Sequence, residues 1–109
     1  MAVSENTGGN QTATLTTEHT LATITSAGTY QLGVDLDNLA NDETLELRIY
    51  VKLRSASSSK MVFYAVYKHD QGTNVIVLSP PVPAPFEFKA TLEQNGGTGR
   101  SYDWSIYEY

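Results

Sequence analysis

The eleven residues from Thr44 to Arg54, TLELRIYVKLR, alternate between apolar and polar without a break. Leu45, Leu47, Ile49, Val51 and Leu53 occupy one parity, and Glu46, Arg48, Tyr50, Lys52 and Arg54 the other. Successive side chains of a β-strand point to opposite faces, so this segment forms a strand with one buried and one solvated face. On a helix the same apolar residues would be scattered around the circumference. Any fold for this chain has to provide a sheet with a core on one side.

The rest of the chain repeats the theme. FEFKATLEQ places Phe86, Phe88, Ala90 and Leu92 inward and Glu87, Lys89, Thr91 and Glu93 outward. The C-terminal SYDWSIYEY directs Tyr102, Trp104 and Ile106 inward, with Tyr107 and Tyr109 on the opposite face. MVFYAVYKH is apolar on both faces, with Met61, Phe63, Ala65 and Tyr67 on one and Val62, Tyr64 and Val66 on the other. Such a strand is either central and covered on both sides or faces a partner chain. Leu15, Leu21, Ile24, Tyr30, Leu32 and Val34 sit among threonines, in keeping with further strands, and Val75 to Leu78 makes a short one. Ala27-Gly28 marks a turn, Asp35 to Glu43 is a turn-rich segment with a helical turn expected at Asn38 to Asn41, and SASSSK is a flexible connector. PPVPAP is extended, as a crossing between sheets or an edge segment, because proline fixes φ and donates no hydrogen bond. NGGTGR is expected as a glycine-rich hairpin loop. The pattern predicts an all-β antiparallel β-sandwich or jelly-roll-like barrel of about seven or eight strands. Residues 1–12 are polar, without apolar periodicity, and are expected as an extended N-terminal arm; residues 13–109 form a single domain.

The 109 residues include no cysteine, which removes disulfides, thiolate metal sites and a cysteine nucleophile. Twelve Asp and Glu against seven Lys and Arg give a formal charge of −5, and this balance disfavours nucleic acid and anionic membrane surfaces as partners. The N-terminus has neither the basic start nor the apolar stretch of a signal peptide, so synthesis in the cytoplasm is expected.

No residue pattern carries catalysis. His69 and Asp70 are adjacent on a strand end and point apart, and Ser58 and Ser59 lie in the connector rather than on a strained elbow. Asp35, Asp37, Asn38, Asp42 and Glu43 offer oxygen ligands, but Ala40 stands where a self-sufficient calcium loop has glycine, and turn capping is the stronger reading. NGGTGR lacks the Lys and Ser/Thr of a phosphate loop and precedes a strand. His19 and His69 have no metal-ligand spacing. Neither an enzyme nor a cofactor is expected. The seven tyrosines are the richest feature, since Tyr and Trp bury large areas at interfaces and also stack on sugars.

Two stretches, TLATITSAGTYQLGVDLDNLANDETLELRIYVK and PPVPAPFEFKATLEQNGGTGRSYDWSIYEY, resemble a family of small proteins of tailed bacteriophages and prophages. The similar features are T-x-A-G-T-Y-x-L, the LELRI strand, PPVPA, and L-x-Q-x-x-G-T-G-R-x-x-x-W, covering most of the chain from Thr14 onward. The resemblance implies a virion structural protein, synthesised in the host cytoplasm and carried on the capsid exterior. On that reading it is a decoration or cement protein whose partner is the major capsid protein, with homotrimers as the assembly. Candidate partner-binding residues are then Tyr64, Tyr107 and Tyr109, as a shared tyrosine face, and Asn6, Asn10 and Gln11 in the arm. The resemblance also admits a neck, tail or fibre component, including a carbohydrate-binding module for host recognition.

Overall fold

A computed structural model describes residues 3–73 and 75–109. It contains nine strands: β1 (Ser4–Thr12), β2 (His19–Ile24), β3 (Gly28–Asp35), β4 (Thr44–Lys52), β5 (Lys60–Lys68), β6 (Ile76–Leu78), β7 (Val82–Ala84), β8 (Glu87–Asn95) and β9 (Ser101–Glu108). Among the described residues there is no helix; Asn38 to Asn41 lies in consecutive turns.

Two antiparallel sheets form. One has the order β1-β9-β3-β6, with β7 also pairing with β3, and the other is β2-β8-β4-β5. Counting β6 and β7 as one interrupted strand leaves eight. The first then pairs with the last, the second with the seventh, the third with the sixth and the fourth with the fifth. A long hairpin of four antiparallel strand pairs, rolled until its pairs divide between two layers, has this connectivity, which is that of a jelly roll. The expected sandwich or jelly roll is therefore the fold observed.

β4 and β8 form the centre of one layer and carry the alternation read from sequence. Leu45, Leu47, Ile49 and Val51 are buried, as are Phe88, Ala90 and Leu92. They face Tyr30, Leu32 and Val34 of β3 and Tyr102 and Ile106 of β9, with Trp104 partly buried against the same cluster. Each fully buried Leu, Ile or Phe contributes roughly 1.5–3 kcal/mol relative to exposure. The Tyr30 and Phe88 rings tie the layers together with centroids 5.4 Å apart at 50°.

Several expectations are corrected. Residues 4–12 are not a free arm: β1 pairs with β9 from Ser4↔Glu108 to Thr12↔Ser101. Its composition suits that place, because a Cβ on Gly8 would stand 2.9 Å from the Trp104 carbonyl oxygen, while Gly9 lies in contact range of the Trp104 indole. NGGTGR is not a hairpin, since β8 and β9 belong to different sheets and the loop arches between them. Leu53 lies past the end of β4 and is 77% exposed, and Phe86 precedes β8 in an exposed bend. Of the two places expected for MVFYAVYKH, the central one is excluded, because β5 is the edge of its sheet. A register shift opposite Ile49 and Tyr50 inserts Val62 as an extra residue, and Met61 leaves the inward parity of Phe63 and becomes half-exposed opposite Tyr50.

Candidate functional site

Two exposed apolar surfaces stand out, on opposite faces of the sandwich. On the β2-β8-β4-β5 sheet, β5 turns Val62, Tyr64 and Val66 outward, with Val62 and Tyr64 each 51% exposed. Met61 and Leu53 extend this row past the bulge, above a groove of about 370 Å³ lined by Val51, Leu53, Ser57, Met61 and Val62. On the other sheet, Ile76 and Leu78 are 61% and 56% exposed on β6. Gly33 of β3 lies between Leu78 and Tyr107, and a Cβ there would stand 2.9 Å from the Leu78 Cδ2 and 3.2 Å from the Tyr107 ring. The missing side chain leaves a shallow groove of about 170 Å³ bordered by Ile76, Asp103 and Tyr107.

The structure separates the tyrosines expected to share a face. Tyr64 belongs to one sheet, while Tyr107 and Tyr109 sit on or just beyond β9 in the other. A single contact surface bearing all three does not form. Tyr109 donates its hydroxyl to Gln31 Oε1 at 2.5 Å. Asn6 and Asn10 are exposed but already engaged within the sheet, donating to Glu108 and Asp103 at 2.9 and 2.8 Å. Gln11 donates to the Thr12 carbonyl at 2.9 Å.

Around Tyr64 the sheet face is an ordered charge network. Arg48 contacts Glu46 at 2.9 Å and Glu93 at 3.1 Å, and lies 4.0 Å from Glu18. The Tyr64 ring covers the Arg48 guanidinium at 5.2 Å and its hydroxyl donates to Glu46 at 2.5 Å. Tyr50 stacks on the Lys89 ammonium at 4.7 Å and donates to Glu18, as does Thr91. Burial pushes the Glu18 carboxyl up, but the hydroxyls of Thr91 and Tyr50 and the charges of Arg48 and Lys89 outweigh it and hold it below the ordinary carboxylate value. Tyr50 and Tyr64 each present one ring face to a cation.

A second polar cluster lies where the β8–β9 arch meets the loop between β3 and β4. Glu43 is 2% exposed and accepts from the backbone N–H groups of Ala40 and Thr98 and from the Arg100 guanidinium, whose Nη2 lies at 2.9 Å. Burial raises its pKa, yet the Arg100 bonds and the two backbone donors hold the carboxyl below its ordinary value. Beside it, buried Gln94 accepts from the Tyr102 hydroxyl and the Arg100 N–H, and donates to the carbonyls of Gly96 and Thr98. Burial, then the charge of Glu43, pushes the Tyr102 phenol up to about 12. No buried side-chain N or O atom among the described residues lacks a hydrogen bond. The cluster therefore clamps an arch and a loop. Gly97 adopts φ +67°, and a Cβ on it would meet the Glu43 Cγ. Gly97→Ala is expected to cost about 2 kcal/mol, from backbone strain and displacement of Glu43, read as a lower denaturant midpoint with unchanged slope.

The polar candidates weighed from sequence are also placed. His69 Nδ1 accepts the Asp42 N–H at 3.0 Å while the Asp70 carboxylate caps Gly72, so the adjacent pair does not act together. Ser59 donates to Glu87 at 2.7 Å. Asp35 caps Asp37 and Glu43 is committed to Arg100, so these loop carboxylates serve turns and a clamp. His19 Nε2 accepts the Thr14 N–H. Among the described residues, no group of three or more His, Asp or Glu is placed to hold a metal ion. Sequence reasoning missed Met61, Leu53, Ile76 and Leu78 as surface residues. Only the short alternation of IVL could have flagged the last two; the bulge that turns Met61 outward leaves no mark in the sequence.

No family model matches the chain, and no curated protein or solved structure matches it either.

Proposed function

We propose that this protein is a structural component of a tailed-bacteriophage virion, a decoration protein bound to the outside of the head across joints between capsomers. The observation that supports this reading best is the pair of exposed apolar surfaces on opposite faces of a rigid sandwich, one along β5 and one around Ile76, Leu78 and Tyr107. A protein that staples a joint has to hold two neighbours at once, and surfaces on opposite faces do that. Solvent-exposed apolar rows mark interaction sites, and the hydrogen-bonded polar networks between the strands supply stiffness rather than turnover. Many modest contacts repeated over a shell add by multivalency, so each joint opens only after several are lost. A closed trimer joins unlike surfaces of neighbouring copies, and Tyr64 and Tyr107, on opposite faces of the sandwich, do not build one such surface together.

Quantitative mass spectrometry of purified particles, ratioed to the major capsid protein, tests the proposal. A ratio near one copy per capsid subunit is expected. A ratio of a few percent moves the protein to the neck or tail, and absence from the particle overturns the virion reading.

A further inference from the structure

The four free sheet edges are not alike. β1 is polar and contains two adjacent glycines; β2 is six residues long, threonine-rich and irregular between Thr20 and Ala22. β6 and β7 are three residues each, with prolines at positions 80, 81 and 83 between and within them. These are the usual ways of blunting an edge against unwanted pairing. β5 differs. It is nine residues long, and beyond the bulge at Val62 its regularly paired stretch Phe63–Tyr67 has no charge and no proline. Alternate residues of that stretch turn their N–H and C=O groups away from β4, toward solvent. An uncovered strand of this kind pairs with whatever complementary strand it meets.

Charge selects among such strands. Between Leu47 and His69 the chain carries five of its seven Lys and Arg and none of its twelve Asp and Glu. Arg48 is committed to the carboxylates beside it. Lys52, Arg54, Lys60 and Lys68 flank β5, and Lys60 and Lys68 stand at its two ends. A second copy pairing antiparallel through β5, centred on Tyr64, would bring Lys60 of each chain beside Lys68 of the other, within the one-residue offset of the bulge at Val62. Like charges facing across strands are destabilising. The lysines therefore discourage self-pairing and favour a partner strand with acidic ends. The groove lined by Leu53, Met61 and Val62 at the start of β5 gives such a strand an apolar anchoring point.

From this we infer that β5 is a strand-addition site for an extended segment of a partner protein. That segment is about nine residues long, apolar at alternate positions and acidic at both ends, and it extends the β2-β8-β4-β5 sheet by one strand. The inference stands on the edge itself and holds whether or not the protein belongs to a virion.

The test uses the full chain and two synthetic nine-residue peptides with Val and Thr alternating between the ends, one ended by Glu and Asp and the other by Lys at both ends. Fluorescence polarisation measures binding, and amide hydrogen exchange locates it. The acid-ended peptide is expected to bind at least tenfold more tightly, to weaken as salt is raised, and to protect the amides of Val62–Tyr67. The double variant K60E/K68E, altered only at exposed positions, is expected to reverse the preference between the peptides. Equal affinity for both peptides, binding of neither, or protection confined to another edge overturns the inference. So does concentration-dependent dimerisation that protects the same amides without peptide, which would make a second copy the occupant.

Discussion

Glu43→Ala is expected to lower the unfolding free energy by about 2–4 kcal/mol, a drop in Tm of roughly 10–20 °C for a domain of this size. The carboxylate is 2% exposed and satisfies the backbone N–H groups of Ala40 and Thr98 as well as Arg100. Its removal leaves two donors unpaired in a nearly dry site and opens a space beneath Gly97. The loss stays below that of a fully buried ion pair because the Arg100 side chain is 38% exposed and regains water. Arg100→Ala is therefore the milder of the two substitutions.

The same residue sets an acid response. Its carboxyl titrates lower in the folded protein than in the unfolded chain. The unfolded state thus binds a proton first as pH falls, so the stability Glu43 provides is complete above the ordinary carboxyl range and is lost as pH drops through the lower folded value. Glu18 shifts in the same direction and adds to the effect. Urea unfolding at pH 7 and at pH 3 checks both: the native chain should lose more stability than Glu43→Ala across that interval. Equal losses would show that the Glu43 clamp contributes nothing to acid sensitivity.

Phe88→Ala is expected to cost about 3–5 kcal/mol. Phe88 is fully buried at the centre of the sandwich, where β8 faces β3, and its ring packs on Tyr30. Tyr30 cannot follow it into the space, because its hydroxyl is held by the Ser26 carbonyl at 2.7 Å. The void therefore persists and its lining loses contacts on one side. Phe88→Leu, which refills most of the volume, should recover more than half of the loss. If chemical denaturation shows both variants within 1 kcal/mol of the native chain, the two layers are not packed through this pair.

Along individual strands, much of this protein was legible in the sequence. The alternation of Leu45, Leu47, Ile49 and Val51 and of Phe88, Ala90 and Leu92 dictated an antiparallel all-β fold. It did so because the period of side-chain direction in a strand is a local property of the backbone. Tyr102 and Ile106 were legible as core for the same reason.

What local pattern could not decide is which strands meet. The glycines of NGGTGR suit a hairpin and an arch equally well. The arch is selected by Gln94 and Glu43, whose hydrogen bonds to Thr98 and Arg100 come together only when β8 and β9 lie in separate layers. A polar N-terminus without apolar rhythm reads as an arm, yet β9 offers it a ladder of backbone partners and Trp104 a surface for Gly9. Backbone pairing does not register in side-chain hydropathy. Tyr64 and Tyr107 look equivalent in composition, but the rolled hairpin assigns them to opposite faces. The apolar row of β5 was visible as residues; that it lies on an open edge follows only from the order of strands in the sheet, because edge and centre are properties of the assembled layer and not of any one strand.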